Sequence, residues 1–148
     1  MRHAIAPGTG DPANFRLGDC TTQRNLDETG RDQARRTGDR IRDMGVEIDL
    51  VLTSQWCRCV DTATLLGLGN VEEEPALNSF FGDRSTEPEQ TGQTIERLAN
   101  LPDNTNAMLV THQVNITALT GIYPRSGEII LIKLDENGDV ETLGRLMP

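Results

Sequence analysis

Four residues of the 148-residue chain could together hold and transfer a phosphoryl group: Arg2, His3, Arg58 and His112. A guanidinium presents a planar fork of N–H donors that matches two oxygens of a phosphate. A neutral imidazole can attack phosphorus. A second imidazole, if protonated, stabilises charge on the equatorial oxygens. Such a set moves a phosphoryl group through a histidine and calls for no metal and no cofactor. The chain has only two His, so the chemistry stands or falls on this pair.

These residues come together only if the intervening chain builds the right frame. "IDLVLTS" (48–54) and "NAMLVTH" (106–112) are short, nearly continuous apolar runs, the pattern of strands buried on both faces of a parallel sheet. The first ends at Thr53-Ser54, with Arg58 one helical turn further on, and the second ends at Thr111-His112. Ligands of such sheets bind at the carboxyl ends of the strands, so both runs deliver a reactive residue to one edge. Helix N-termini opening after each strand add partial positive charge there.

The other elements follow the same alternation. "NLDETGRDQARRTGDRIRDMGVE" places Ala34, Thr37, Ile41 and Met44 at helical spacing, with Asp27 as N-cap and Gly45 as stop. "WCRCVDTATLLGLG" is a helix ending in glycines, "NVEEEPALN" a short edge strand, and "EPEQTGQTIERLANL" and "QVNITALTG" are helices. "GEIILIKLDENGDVETLGRL" reads as a hairpin around Asn137-Gly138, with the sequence of a type I′ turn. Residues 6–25 lack periodicity and form a long loop, a length usually tied to function. The expectation is one α/β domain over residues 1–148, a three-layer α/β/α sandwich on a mostly parallel sheet with a C-terminal hairpin.

Composition narrows the partners. The net charge is −9, which disfavours nucleic acid and acidic membranes, and no apolar run approaches a membrane span. Thirteen Arg stand against the single Lys133, so any cationic pocket is built from guanidinium groups. The partners expected are a small phosphorylated substrate or a phosphoprotein, with the oligomeric state left open. Three cysteines, Cys20, Cys57 and Cys59, form no tetrahedral metal set. Either all three are reduced, or Cys20 bridges Cys57 or Cys59 in an oxidising compartment.

The segments "RHA", "LDETGRDQA", "LTSQWCRCVDTA" and "LVTHQVNITALTG", in that order, resemble the histidine phosphatase (phosphoglycerate mutase-like) superfamily over nearly the whole chain up to the hairpin. The resemblance implies an α/β/α sandwich that hydrolyses phosphomonoesters or phosphohistidine. It implies His3 as the phosphorylated nucleophile, Arg2 and Arg58 as phosphate ligands, and His112 as the second pocket histidine. The family often carries a Glu as general acid where this chain has "LNSFFG". Asn78 then stands as a substrate-binding residue, and the acid would have to come from Asp11, Asp19, Asp83 or Glu87. Without an acid, good leaving groups such as phosphohistidine or aryl phosphates are favoured. The alternative is a weak or inactive member that binds phosphorylated ligands or a protein partner.

The Arg-His pair of that superfamily caps a buried first strand. Met1 directly precedes Arg2, so that strand is not in the sequence, and the expectation is a longer functional protein in which Met1 is internal. Taken as written, with no leader pattern at its start, the chain is expected to be cytoplasmic. A preceding leader would make it periplasmic or secreted and a Cys20 bridge natural.

Overall fold

The computed structural model describes residues 1–147. Its elements run α1 (Glu28–Asp43), β1 (Leu50–Thr53), α2 (Cys57–Leu66), β2 (Val71–Glu73), α3 (Glu87–Ala99), β3 (Ala107–Val110), α4 (Gln113–Thr120), β4 (Ile129–Leu134) and β5 (Val140–Leu146). This is the alternation expected, and the architecture is the α/β/α sandwich. No helix is long and apolar enough to cross a membrane.

A parallel three-stranded sheet has the order β2-β1-β3, so β2 is indeed an edge strand, and β4-β5 form a separate antiparallel pair. The register Thr53↔Val110 brings the carboxyl ends of β1 and β3 level, which sets Ser54 and His112 side by side. Val51, Met108 and Val110 pack against Ile41 of α1 and Cys59, Ala63 and Leu66 of α2. Burial of that face drives the layer together.

Two glycines set how closely α1 approaches its neighbours. A Cβ on Gly38 would lie 1.9 Å from the Leu66 carbonyl oxygen, and one on Gly30 would lie 1.9 Å from that of Ile5. No other residue fits at either contact. Asp27 caps α1 as expected, its carboxylate accepting from the Gly30 N–H at 2.8 Å.

Residues 1–3 lie parallel to β3 at the first strand's expected place. Thr111 N–H donates to the Met1 carbonyl at 3.0 Å and His3 N–H to the Thr111 carbonyl at 2.9 Å. On the other side Arg2 N–H donates to the Glu128 carbonyl and Gly127 N–H to that of His3. Three residues thus join the two sheets. Beyond Met1 an apolar cleft of about 640 Å³ opens between β3 and β4, lined by Leu77, Leu98, Leu109, Ile116, Ile130 and Leu131 among others.

The hairpin departs from the expected type I′ turn. Gly138 has φ 84°, but among the described non-glycine residues only Asn104 has a positive φ, whereas type I′ needs two positive φ angles. Asp135 explains the difference. Its carboxylate accepts from the N–H groups of Asn137 and Asp139, while Gly138 N–H closes on its carbonyl. The loop is therefore a three-residue turn with Gly138 in the left-handed position.

Candidate active site

Arg2, His3, Arg58 and His112 line one cavity of about 110 Å³ at the carboxyl edge of the sheet. His3 is 2% exposed, His112 3% and Arg58 3%. The two imidazole centroids are 5.6 Å apart and the rings meet edge to face at 67°.

Hydrogen bonds assign the tautomers. His3 Nδ1 lies 2.7 Å from the Ala4 carbonyl oxygen. A carbonyl only accepts, so Nδ1 carries the proton and Nε2 keeps its lone pair. His112 Nδ1 lies 3.5 Å from Arg58 Nη2, a donor, and its Nε2 lies 2.8 Å from Ser54 Oγ. Guanidinium nitrogen has no lone pair to offer, so here Nε2–H donates to the serine.

Burial, and then the charges of Arg58, Arg2 and Arg24, push His3 down to about 3 against the support of its Ala4 hydrogen bond. Burial, followed by His3 and Arg58, likewise holds His112 well below the ordinary imidazole value. Both rings are thus neutral without an anion between them, and the protonated second imidazole of the sequence reading requires the bound dianion. The Nε atoms of Arg2 and Arg58 are buried with no hydrogen-bond partner among the described residues. An unmet buried donor is costly.

Only one of the two helix N-termini faces the cavity. Gln113 and Val114, the first residues of α4, line it, and no side chain caps that helix. At α2 the Cys57 N–H is instead taken by Gln23 Oε1 at 3.0 Å, so α2 contributes the Arg58 side chain rather than its backbone.

Asn78, expected to bind substrate, stands behind the site. Its Oδ1 accepts from Gln55 N–H at 2.8 Å and Ser54 Oγ at 3.2 Å, and its Nδ2 donates to Gln55 Oε1. Its amide is therefore spent on holding the turn after β1, and the neighbouring Ser79 lines the cavity in its place. The four acid candidates are also engaged. Asp19 and Asp83 cap the 3-10 turns that follow them and Glu87 pairs with Arg84. Asp11 alone reaches the cavity. Burial works to raise its carboxyl, but hydrogen bonds and charge from Arg58 and the Trp56 indole outweigh that and hold it below the usual range. It is a carboxylate, not a proton donor.

The sequence reading missed Arg24, a third guanidinium on the cavity wall. Its Nε donates to the Gly10 carbonyl at 2.8 Å and its Nη1 to that of Ala6, so it shapes the loop around the phosphate seat. An Arg three residues before the helix N-cap was the available signal. Three consecutive residues fasten that loop to the start of α2. The Trp56 ring stacks on Phe15 at 4.9 Å, Cys57 is joined to Cys20, and Arg58 pairs with Asp11. Of the alternatives left open for the cysteines, the structure has Cys20–Cys57, with Cys59 buried and free. Burial raises the Cys59 thiol to about 12, which makes it unreactive.

A sequence profile of the histidine phosphatase superfamily (branch 1) matches residues 16–91, just over half of the chain. The chain belongs to that superfamily. Its phosphatase activity follows from this membership, and the reading as a mere binding protein is not favoured. Arg24 and Arg58 lie within the matched stretch, His3 and His112 outside it. No curated protein matches the chain in sequence.

Several solved structures share the fold. The protein histidine phosphatase SixA complexed with tungstate has 21% identity and a TM-score of 0.69, covering 99% of this chain and 93% of that one. YhfR from Bacillus stearothermophilus has 16% identity and a TM-score of 0.69 over 96% and 92%. Phosphoserine phosphatase from Entamoeba histolytica, in complex with 3-phosphoglyceric acid, has 13% identity and a TM-score of 0.67 over 99% and 94%.

Proposed function

We propose that this phosphatase works through a phosphohistidine on His3 and that its preferred substrates are phosphoramidates, phosphohistidine in a protein foremost. The observation that carries the first half is the His3 tautomer. Nδ1–H is anchored on the Ala4 carbonyl, so Nε2 is the nucleophile. Arg2, Arg58 and the N-terminus of α4 hold the phosphoryl oxygens. A P–Nε2 bond forms as the bond to the leaving group breaks. Water then attacks phosphorus, releases inorganic phosphate and restores His3. The dianion raises the basicity of the neighbouring His112, whose Nδ1 takes a proton from solvent in place of its long contact with Arg58 and steadies the equatorial oxygens by its charge.

The second half rests on the engaged carboxylates. Among the described residues that line the cavity, Asp11 is the one carboxyl group, and Arg58 holds it as a carboxylate. A phosphorylated imidazole carries its own proton and departs as a neutral base, so it needs none. The SixA neighbour, a protein histidine phosphatase, supports the same class. The Cys20–Cys57 bridge supports work in an oxidising compartment.

The test is rapid-quench labelling with a radiolabelled phosphoramidate. An acid-labile, alkali-stable label should appear on the protein and vanish in His3→Ala, with turnover reduced by at least about 10⁴-fold. Aryl phosphates and phosphoramidates should exceed alkyl phosphates by about 10²–10⁴-fold in kcat/KM, the worth of a general acid. A label retained in His3→Ala removes the nucleophile assignment, and alkyl phosphates cleaved equally well remove the substrate class.

A further inference from the structure

We propose that Asp11 is a positioning residue, whose carboxylate grips the two terminal nitrogens of Arg58 and so sets the orientation in which that guanidinium meets the phosphate. The inference rests on the reading of Arg58 as a phosphate ligand. Asp11 Oδ1 lies 2.6 Å from Arg58 Nη1 and Oδ2 lies 3.1 Å from Nη2, a two-point, fork-to-fork pair. The carboxylate is itself immobilised, accepting from Trp56 Nε1 at 3.0 Å and from Arg24 N–H at 3.3 Å. The remaining donors of the fork are directed by the Arg24 carbonyl, 3.3 Å from Nη1, and by His112 Nδ1. Only Nε of Arg58 is left buried and unpartnered.

Two roles are compatible with a carboxylate on an anion-binding arginine, and they predict opposite things. An aspartate sitting in the phosphate's own place must leave before substrate binds, and its removal tightens binding. An aspartate gripping the far end of the fork aims it, and its removal weakens binding even though the cavity becomes more positive. The anchoring of the carboxylate favours the second: besides both Nη atoms of Arg58 it holds Trp56 Nε1 and the Arg24 N–H, bonds that a group vacating the phosphate's place would have to give up. An unaimed guanidinium on a stem of four rotatable bonds loses rotational freedom when phosphate binds, and sub-ångström aim is where active-site arginines gain their effect. Trp56 ties the two jobs together, because the indole that donates to Asp11 also meets the His112 ring edge to face at 5.3 Å. Asp11 therefore sets Arg58 and, through Trp56, one wall of His112.

The experiment compares inhibition by inorganic phosphate in the full chain and in Asp11→Asn, Phe15→Leu and Arg58→Lys, each checked for an unchanged thermal unfolding profile. Asp11→Asn keeps the shape but replaces one acceptor with a donor facing other donors. The expected result is an inhibition constant for phosphate raised about tenfold or more in Asp11→Asn, with KM rising more than kcat falls. Phe15→Leu loosens the same loop from Trp56 without touching Arg58 and should stay within about twofold. Unchanged or tighter phosphate binding in Asp11→Asn overturns the proposal. So does an equal loss in both loop variants, which would make Asp11 a loop tie and nothing more. Arg58→Lys must weaken phosphate in every case, and if it does not, the reading of Arg58 falls first. If Asp11→Asn fails to fold, Asp11→Glu takes its place and must retain part of the affinity in proportion to the restored charge pair, with no recovery again overturning the proposal.

Discussion

The phosphate cavity and the apolar cleft sit at opposite stretches of the same β3 edge, and they are built in contrary ways. At the cavity the side chains of His3, His112, Arg58 and Asp11 are held by hydrogen bonds, the Nε atoms of Arg2 and Arg58 excepted, and the long loop is fastened to three successive residues, Trp56, Cys57 and Arg58. At the cleft, about 640 Å³ of space is walled by leucines and isoleucines, and β3 and β4 meet no common strand. Between the two lie only Met1, Arg2 and His3, hydrogen-bonded on both sides. The position of His3 is therefore specified locally, by the ends of strands and the first turns of helices. Polar groups buried with full partners fix one geometry, whereas dispersion and burial across an open cleft fix very little.

The largest expected effect of that difference is on acid stability, since both imidazoles sit at the cavity and none at the cleft. Each has a folded pKa below its unfolded value, about 3 for His3 and well below 6.5 for His112, chiefly because burial disfavours the charged form. As pH falls below 6.5 the unfolded chain takes up protons that the folded protein refuses. Their contribution is complete above the unfolded value and is lost progressively towards the folded one. Urea unfolding at pH 7 and pH 5 should differ by about 2 kcal/mol from His3 alone, with His112 adding in the same direction, before most carboxylates titrate. Phosphate at pH 5 should restore part of it by stabilising an imidazolium. A stability that is flat over this interval would mean that the two rings are already charged.

Next in size is the fastening of the loop. The Cys20–Cys57 bridge closes a sequence separation of 37 residues, worth about 3 to 4 kcal/mol in loop-closure entropy. Cys20→Ser should lower stability by that amount and leave the half of the molecule around the cleft as before. Native-state amide exchange reads both at once, with protection expected to fall over residues 9–24 and not in β4 or β5. A loss spread evenly over the chain would show that loop and hairpin form one cooperative unit. Three free thiols in the native protein would remove the bridge altogether.

How much of this was legible in advance follows the same division. β1 and β3 were read correctly because unbroken runs such as "DLVLT" and "AMLVT" fit only a buried strand, and Arg58 and His112 followed from where those runs stop. Asp27 and the glycines ending α1 and α2 were legible because capping is local chemistry. Arg24 was not placed, and Asp11 and Asn78 were given other roles, because what they do depends on pairings 13 to 47 residues apart in sequence. A loop without periodicity gives no register from which to derive such pairs. Glu128 makes the same point. It is wholly buried and paired with Arg145 of β5 at 2.6 Å, yet in "SGEIIL" it reads as an ordinary polar residue before a strand. The Asn137-Gly138 turn failed for a reason two residues away, in the side chain of Asp135.

The smallest expected effect is the most direct test of the comparison. Leu66, fully buried between α1 and the sheet, lies in the core with Ile41 and Ala63, while Leu131 on β4 is 50% exposed and faces the cleft. Truncating a leucine in a closed core loses transfer free energy and leaves a void, together about 2–5 kcal/mol. Truncating one whose neighbours are already apart creates no new void and loses only half its burial, so Leu131→Ala should cost less than about 1 kcal/mol. Both are read as shifts of the urea midpoint with unchanged m-value. A loss of 2 kcal/mol or more in Leu131→Ala would show that β4 is packed as tightly as the core in solution. The cleft would then be closed by something that touches Leu131, and the contrast between the two ends of β3 would disappear. A small loss in Leu131→Ala beside a large one in Leu66→Ala places the cohesion of the fold on the side of α1, α2 and the catalytic edge.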